Sequence, residues 1–199
     1  MTLNLTSTLT PSDLYSQGWL PQRNQKGLWY QDTSSRANLN NFRLSSENRR
    51  ILNSTSDWNF LYFPLNQFVL SPSIKKQIIG WVKTLGWEFP PSSIKNIFKN
   101  HIFNHIYTWS LEDTPPLAYA LCYSDPEISH IAYVFYDPNL AKSNLPIRMV
   151  LQAVIDSQKS GHRFCYLGGF NPTTKYGYYK RNMPGFEYFL NNSWQPLNP

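Results

Sequence analysis

The sequence contains few cysteines and none of the cysteine pairs that build metal centres. Cys122 and Cys165 lie far apart in strand-like stretches, and no C-x-x-C pair occurs. The four histidines show no metal-ligand spacing either. Structural zinc and iron–sulfur sites depend on such patterns. The sequence therefore predicts no metal, no cofactor and two buried, reduced thiols.

Long apolar segments are also absent. No stretch approaches the roughly 20 apolar residues that a membrane-spanning helix needs. The first stretch, "MTLNLTSTLTPSDL", has neither the basic start nor the apolar run of a secretory signal. We therefore expect a cytoplasmic protein with no membrane partner.

Acidic residues are scarce. The sequence has 12 Asp and Glu against 18 Lys and Arg, which gives a net charge of +6. A basic chain is a weak indicator of polyanion binding. Because the excess reflects few acids as much as many bases, basicity without any polyanion partner is an interpretation at least as good as RNA binding. Aromatic residues are abundant at 16%, which suits a dense core or a site that holds flat groups.

Apolar spacing predicts two well-defined helices. In "SPSIKKQIIGWVKTLG", Ser71 is placed to cap the helix, Pro72 fits its first turn and Gly86 fits its end. A second helix over "NLPIRMVLQAVIDSQKSG" ends at Gly161. Shorter helices are predicted in "LSSENRRIL" and "PPSSIKNIFKN".

Three consecutive segments have strand character. "HIFNHIYTWSL", "PLAYALCYS" and "ISHIAYVFY" are rich in β-branched and aromatic residues and are separated by turn signals. Their short connections predict an antiparallel meander. The helix that follows and the strand "HRFCYLGG" predict a right-handed parallel crossover. "FEYFLNNSWQPL" is predicted to be a last strand and tail.

This order predicts an α+β fold with a mixed sheet, and it resembles the acyltransferase fold of the GNAT superfamily. Residues 1–56 are assigned to a small N-terminal lobe, and residues 57–199 to the GNAT-like catalytic domain. The resemblance implies that two central parallel strands splay apart and that the reacting group sits in the gap.

The loop that binds CoA in GNAT enzymes is not recognisable. Those enzymes hold the pyrophosphate on a Gly-rich turn before a helix. The corresponding stretch, "YDPNLAKSNLPIRM", contains no glycine, and Pro138 and Pro146 remove two backbone donors. A different acyl donor is therefore expected.

Several separated motifs resemble the arginyl-tRNA–protein transferases and their bacterial leucyl-transferring relatives. "FYDPNL", a helix and "YLGGFNP…YGYYK" are similar to the C-terminal half of that family. "QGW" and "FRLSSENRR" are similar to its N-terminal motifs. The family's N-terminal cysteines are absent, and its S-L-G-T helix start is "SNLPIR" here. Tyr176 replaces the first lysine of the family's K-M-x-Y-K segment, unless Lys175 takes that place after a one-residue shift.

The resemblance implies an aminoacyl-tRNA-dependent transferase. Such an enzyme moves an amino acid, here arginine or a leucine-like residue, from charged tRNA to a free amine of a protein or peptide. A tRNA ester as donor would explain the unrecognisable CoA loop. Two alternatives stay open: a CoA-dependent N-acyltransferase, and a non-catalytic tRNA- or peptide-binding module.

Asp137 and Tyr136 are the catalytic candidates. Asp137 ends a central strand at the expected gap, where its carboxylate could hold the acceptor amine or orient the α-ammonium of the donor. The competing interpretation is an Asp-Pro turn at a strand end. Tyr136 points to the opposite face of the strand, so only one of the pair readily lines the cleft.

The remaining candidates bind substrate or tRNA. Glycines after a strand let a substrate approach the backbone, and basic and aromatic residues suit phosphates and a stacked adenine. The substrate-binding candidates are Tyr166, Gly168, Gly169, Tyr176 and Tyr179. The tRNA-binding candidates are Ser45, Arg49, Arg50, Lys175, Lys180 and Arg181. The competing interpretations are a plain strand-to-loop turn, a solvated basic stretch and an internal salt bridge to Glu47 or another acid.

Overall fold

The structure is a computed structural model that describes residues 2–4, 9–25, 27–99, 102–112, 114–171 and 178–197. The strands are β1 (Thr2–Asn4), β2 (Trp19–Pro21), β3 (Leu28–Gln31), β4 (Ser34–Asn38), β5 (Trp58–Pro64), β6 (His105–Leu111), β7 (Ala118–Ser124), β8 (Ile128–Tyr136), β9 (Phe164–Gly169), β10 (Phe186–Leu190) and β11 (Ser193–Pro196). The helices are α1 (Pro11–Ser16), α2 (Ser46–Asn53), α3 (Pro72–Thr84), α4 (Pro91–Phe98), α5 (Leu145–Lys159) and α6 (Tyr178–Arg181).

Eight of the strands form one mixed sheet. Its order is β11-β10-β4-β9-β8-β7-β6-β5, and β1, β3 and β2 form a separate small sheet. In the large sheet, every neighbouring pair is antiparallel except β8 and β9. The predicted meander is β6, β7 and β8, and the predicted parallel crossover runs from β8 through α5 to β9. The predicted α+β class with a mixed sheet is confirmed.

The parallel strands β8 and β9 part after a short paired stretch. Their pairing begins at Ile128 with Phe164 and ends at His130 with Tyr166. Shortly beyond it, Ala132 is an extra residue of β8 in its register with β7, which makes a β-bulge. A bulge bends its strand and increases the local twist. The bulge therefore explains why β8 turns away from β9.

Helices cover both faces of the sheet. On one face, α1, α3 and α4 bury Leu14, Ile78 and Ile94 completely. On the other face, α5 buries Leu151 and Val154 completely, and α2 packs beside it. Each fully buried aliphatic side chain contributes roughly 1.5–3 kcal/mol relative to exposure. The two apolar clusters thus pack against opposite faces of the sheet in which β8 and β9 part.

The predicted ends of α3 and α5 are confirmed. Ser71 caps α3, since its Oγ accepts a hydrogen bond from the N–H of Ile74 at 3.2 Å. Gly86 and Gly161 follow α3 and α5 with φ angles of 67° and 80°. Glycine adopts this left-handed conformation without the steric cost of a Cβ atom, so both helices end where the sequence places a glycine.

Part of the segment predicted as the N-terminal lobe lies in the large sheet. β4 is hydrogen-bonded between β9 and β10. Arg36 of β4 forms a buried ion pair with Glu187 of β10 at 2.7 Å. The Arg36 guanidinium also lies over the rings of Phe164, at 3.6 Å, and Trp194, at 4.0 Å. These contacts join the two ends of the chain, and the division at residue 56 stays a prediction.

Two elements differ from the predictions. The helix α1 was not predicted, although Thr10 and Asp13 have the spacing of a capping box and cap it. The C-terminal stretch predicted as one strand and a tail is the hairpin of β10 and β11. Asn191 and Asn192 connect these strands with φ angles of 51° and 59°, the positive values that a type I′ turn requires.

The two cysteines are buried free thiols, as predicted. Burial raises the pKa of both Cys122 and Cys165, so both stay protonated near neutral pH.

Within the described ranges, no helix combines the length and the apolar character needed to cross a membrane.

Candidate active site where two parallel strands part

A cleft of about 1070 Å³ opens where β8 and β9 part. It is lined from both faces of β8. Tyr133 and Phe135 pack with the apolar cluster that includes residues of α3, whereas Val134 and Tyr136 pack with the apolar cluster that includes residues of α5. Leu167 lines it from β9. The cleft therefore extends through the sheet, in the gap between two parallel strands that the predicted fold implies.

A second wall comes from segments to which no role was assigned. Arg23 lies over the ring of Phe89 at 4.5 Å and donates a hydrogen bond to the carbonyl oxygen of Glu88 at 3.1 Å. Trp87 meets Tyr136 edge to face, with ring centroids 5.9 Å apart. These residues were missed because no local motif marks a side chain that tertiary packing brings to a distant cleft.

The helix α6 places a lysine in the cleft. Lys180 is half-buried, and its Nζ donates a hydrogen bond to the carbonyl oxygen of Gly169 at 2.7 Å. Burial lowers the pKa of Lys180 to about 8. Such an amine is uncharged in many molecules at slightly alkaline pH, so it can accept a proton. The sequence predicted Lys180 as a tRNA contact, and the structure brings it together with two substrate-binding candidates, Gly169 and Tyr179.

Two tyrosine candidates line the same cleft. Tyr136 and Tyr179 are both half-buried there. Burial, and then the nearby Tyr136, raise the pKa of Tyr179 to about 12. Burial also raises the pKa of Tyr136. Both phenols therefore keep their protons at physiological pH.

Asp137, the other catalytic candidate, is not among the residues that line the cleft. Its Oδ1 accepts a hydrogen bond from the N–H of Asn139 at 2.9 Å and caps the single turn Pro138–Leu140. These are the contacts of the Asp-Pro turn that competed with a catalytic role. The catalytic role of Asp137 stays a prediction.

The candidates at the end of β9 differ in their surroundings. Gly169 lines the cleft. Tyr166 is only 1% exposed, and its hydroxyl accepts a hydrogen bond from Arg36 at 3.5 Å, so it supports β9 from within the core. Gly168 has a φ of 78°, and its carbonyl oxygen accepts a hydrogen bond from the Ser35 hydroxyl at 2.8 Å. Of the three, Gly169 is the one that lines the cleft.

A buried histidine that was not predicted lies behind Gly168. His130 is 3% exposed, and its Nδ1 is 2.8 Å from the Tyr15 hydroxyl. A Cβ atom at Gly168 would lie 3.7 Å from His130 Nε2 and 3.9 Å from Lys180 Nζ, so both groups border the space over this glycine. Burial, and then the charge of Lys180, lower the pKa of His130 to about 3. His130 is therefore neutral at physiological pH.

The N-terminal tRNA candidates have local structural roles. Ser45 caps α2, since its Oγ accepts a hydrogen bond from the N–H of Asn48 at 3.1 Å. Arg50 forms the ion pair with Glu47 that was the competing interpretation, at 2.6 Å. Arg49 is exposed and donates to a backbone carbonyl at 2.7 Å. Their roles in tRNA binding stay predictions.

Three further candidates lie at or beyond the edge of what the structure describes. Arg181 is exposed at the end of α6. Lys175 and Tyr176 lie outside the described residues.

Over the part of the chain that the structure describes, no three His, Cys, Asp or Glu side chains form a group that could hold a metal ion.

Similarity to curated proteins is local. A segment of 67 residues, 34% of this chain, is 36% identical to the aspartate/glutamate leucyltransferase of Dinoroseobacter shibae and covers 24% of that protein. A segment of 62 residues, 31% of this chain, is 37% identical to the aspartate/glutamate leucyltransferase of Saccharophagus degradans and covers 26% of it. The match thus spans about a quarter of the length of these relatives. No family model matches the chain.

Similarity to solved structures is broader and concerns the fold. FemX matches with a TM-score of 0.54 at 11% identity, over 89% of this chain and 65% of that one. L-PGS from Bacillus licheniformis matches with a TM-score of 0.51 at 12% identity, over 73% and 48% of the two chains. Together with the parted parallel strands, these matches confirm the GNAT-like fold that the sequence predicted.

Proposed function

We propose that this chain is an aminoacyltransferase that moves an amino acid from a charged tRNA to a free amine of a protein or peptide. The observation that supports it best is the amine of Lys180, which lies in the gap between β8 and β9 and has a pKa of about 8. The local similarity to aspartate/glutamate leucyltransferases supports the same class of reaction.

In the proposed reaction, the acceptor amine attacks the ester carbonyl carbon of the aminoacyl-tRNA. A C–N bond forms, and the bond from the carbonyl carbon to the ribose oxygen then breaks. Uncharged Lys180 takes one proton from the attacking nitrogen and gives one to the departing ribose oxygen, so the lysine ends unchanged. The ester is already activated, so orientation in the cleft supplies much of the remaining acceleration.

In the proposal, a backbone N–H of β8 stabilises the oxyanion. The N–H of Asp137 donates to the carbonyl oxygen of Leu117, on the β7 side. Because N–H groups alternate in direction along a strand, the N–H of Val134 faces the other side, toward the gap. The pairing with β9 has already ended at His130. In the proposal, Val134 donates to the negative charge that develops on the carbonyl oxygen.

The lining favours an apolar amino acid over arginine. Ala132, Val134 and Phe89, all half-buried, are among the apolar residues that line the cleft. Among its described lining residues, carboxylates come from Asp32 and Glu88 alone. One of these two is needed to hold the α-ammonium of the donor, which leaves little negative charge for a guanidinium. We therefore propose leucine or a residue of similar shape.

The test is transfer from a pool of charged tRNAs to a library of peptides with free N-termini. One amino acid is labelled in each reaction, and a parallel reaction contains labelled acetyl-CoA. The expected result is label on peptide from leucyl-tRNA. Label from arginyl-tRNA alone would overturn the choice of leucine, and label from acetyl-CoA without any from tRNA would overturn the proposed function.

A further inference from the structure

A second groove, separate from the cleft, lies between the segment that follows β5 and the helices α3 and α4. It has a volume of about 400 Å³. Its apolar lining includes Phe68 and Phe98, whose rings stack with centroids 5.7 Å apart. Lys75 from α3 and Lys95 and Lys99 from the end of α4 also line it. Flat apolar surface and positive charge thus meet in one concave site.

The positive charge at this groove is not compensated. Within the described ranges, no acid pairs with the ammonium groups of Lys75, Lys95 or Lys99. Residues 72–99 contain five lysines and a single acid, Glu88. Glu88 lines the cleft and not the groove. Unpaired cations around a concave surface attract a polyanion.

The helix α3 connects the groove to the cleft. Pro72 at its start lines the groove, and Gly86, just after its end, lines the cleft. A helix of 13 residues is about 20 Å long. A few nucleotides of extended single strand span this distance, so one strand can occupy both sites.

We propose that the groove binds single-stranded nucleotides of the donor tRNA near the 3′ end whose ester lies in the cleft. The phosphates face Lys75, Lys95 and Lys99, and bases pack against Phe68 and Phe98, the combination that single-strand binding surfaces use. The identity of the RNA rests on the proposed function. The charge and the aromatic walls do not depend on it.

The test compares two triple variants that lose the same charge. The groove variant carries Lys75→Gln, Lys95→Gln and Lys99→Gln. The control carries Lys76→Gln, Lys83→Gln and Lys159→Gln, none of which lines the groove. Lys75 and Lys76 are adjacent on one helix. Because both variants lose the same charge, a difference in affinity reports where the lost lysines lie and not how many were lost. Binding of uncharged tRNA is measured by fluorescence anisotropy across a range of salt concentrations.

The groove variant should bind tRNA at least tenfold more weakly than the wild type. Its slope of log K against log salt should fall by about 2, since each lost phosphate contact removes about 0.7 for a single strand. The control should keep most of the affinity and slope. Equal losses in both variants, or no loss in the groove variant, would overturn the proposal.

Two further measurements distinguish RNA binding by the groove from lipid binding, and failure of the groove proposal from failure of the proposed function. If the groove variant loses binding to vesicles of anionic lipid but keeps tRNA binding, the groove is a lipid surface and the proposal is wrong. If tRNA binds through the groove but no amino acid is transferred, the groove stands and the proposed function fails.

Discussion

Lys180 Nζ donates a hydrogen bond to the carbonyl oxygen of Gly169 at 2.7 Å, and this bond holds an amine in the gap where β8 and β9 part. An uncharged amine that donates one N–H to Gly169 keeps its lone pair for a proton. Burial lowers the pKa of Lys180 to about 8. The same contact thus positions the group and leaves it able to act as a base.

Replacement of Lys180 should remove the base without unfolding the protein, since the side chain is only half-buried. Lys180→Met should lower kcat for aminoacyl transfer about 100-fold or more, the usual contribution of a general base. The wild-type rate should rise with pH around a midpoint near 8, because the uncharged amine is the active form. A rate that falls through this range would contradict the assignment.

Lys180→Arg is the matched variant for charge. The guanidinium can still donate to Gly169, but it stays protonated at all accessible pH values. This variant should be as inactive as Lys180→Met, and it should retain tRNA binding. Full activity of Lys180→Arg would show that the positive charge matters and not the base.

Stability should depend on pH through His130. Its pKa is about 3 in the folded protein and about 6.5 in the unfolded chain. The unfolded chain therefore binds an extra proton between these values, so the free energy of unfolding falls as the pH drops below 6.5. From about pH 6 to 4.5, wild type should lose about 1.4 kcal/mol per pH unit more than His130→Leu. Urea denaturation at several pH values measures this, and parallel curves would contradict it.

The ion pair between Arg36 and Glu187 should be far more important for stability than the pair between Arg50 and Glu47. The first is buried between β4 and β10, and the second is exposed. Glu187→Gln leaves a buried charge without its partner and should cost about 3 kcal/mol of unfolding free energy. Glu47→Gln should leave the midpoint of urea denaturation nearly unchanged. If Glu187→Gln and Glu47→Gln lowered the free energy of unfolding equally, burial of the Arg36 ion pair would not explain its contribution to stability.

Asp137→Asn separates the two roles considered for Asp137. An amide oxygen can accept the same hydrogen bond from the N–H of Asn139 as the carboxylate does. If Asp137 only caps the turn, as its contacts indicate, the variant should keep most of the transfer activity and its melting temperature. A loss of activity above 100-fold with an unchanged melting temperature would instead establish the predicted catalytic role.

The elements that the sequence predicted well are those with local signals. The helix α3 has its cap at Ser71, a helical apolar period and Gly86 after its end, and each signal acts within a few residues. The meander and the crossover followed from strand composition and connection length. The Asn191–Asn192 turn also carries a local signal, which was not used, and the hairpin was missed for that reason.

The sequence predicted only those residues of the candidate site that belong to motifs around β8 and β9. Tyr136, Gly169 and Lys180 follow from motifs around β8 and β9, and all three line the cleft. Arg23, His130 and the groove at Phe68 were not predicted, because they depend on which distant segments pack together. The lowered pKa of Lys180 arises from burial, and a sequence motif does not encode burial.

Transfer of an amino acid to a peptide is tested most directly by the mass of an acceptor peptide after incubation with the purified protein. The peptide has a free N-terminus, and the donor is leucyl-tRNA in one reaction and a mixed pool of charged tRNAs in another. We expect that the peptide gains one amino acid residue, leucine in the first reaction, and that Lys180→Met slows this gain about 100-fold or more. An unchanged peptide mass with both donors, in the presence of folded wild-type protein, would contradict the proposed function.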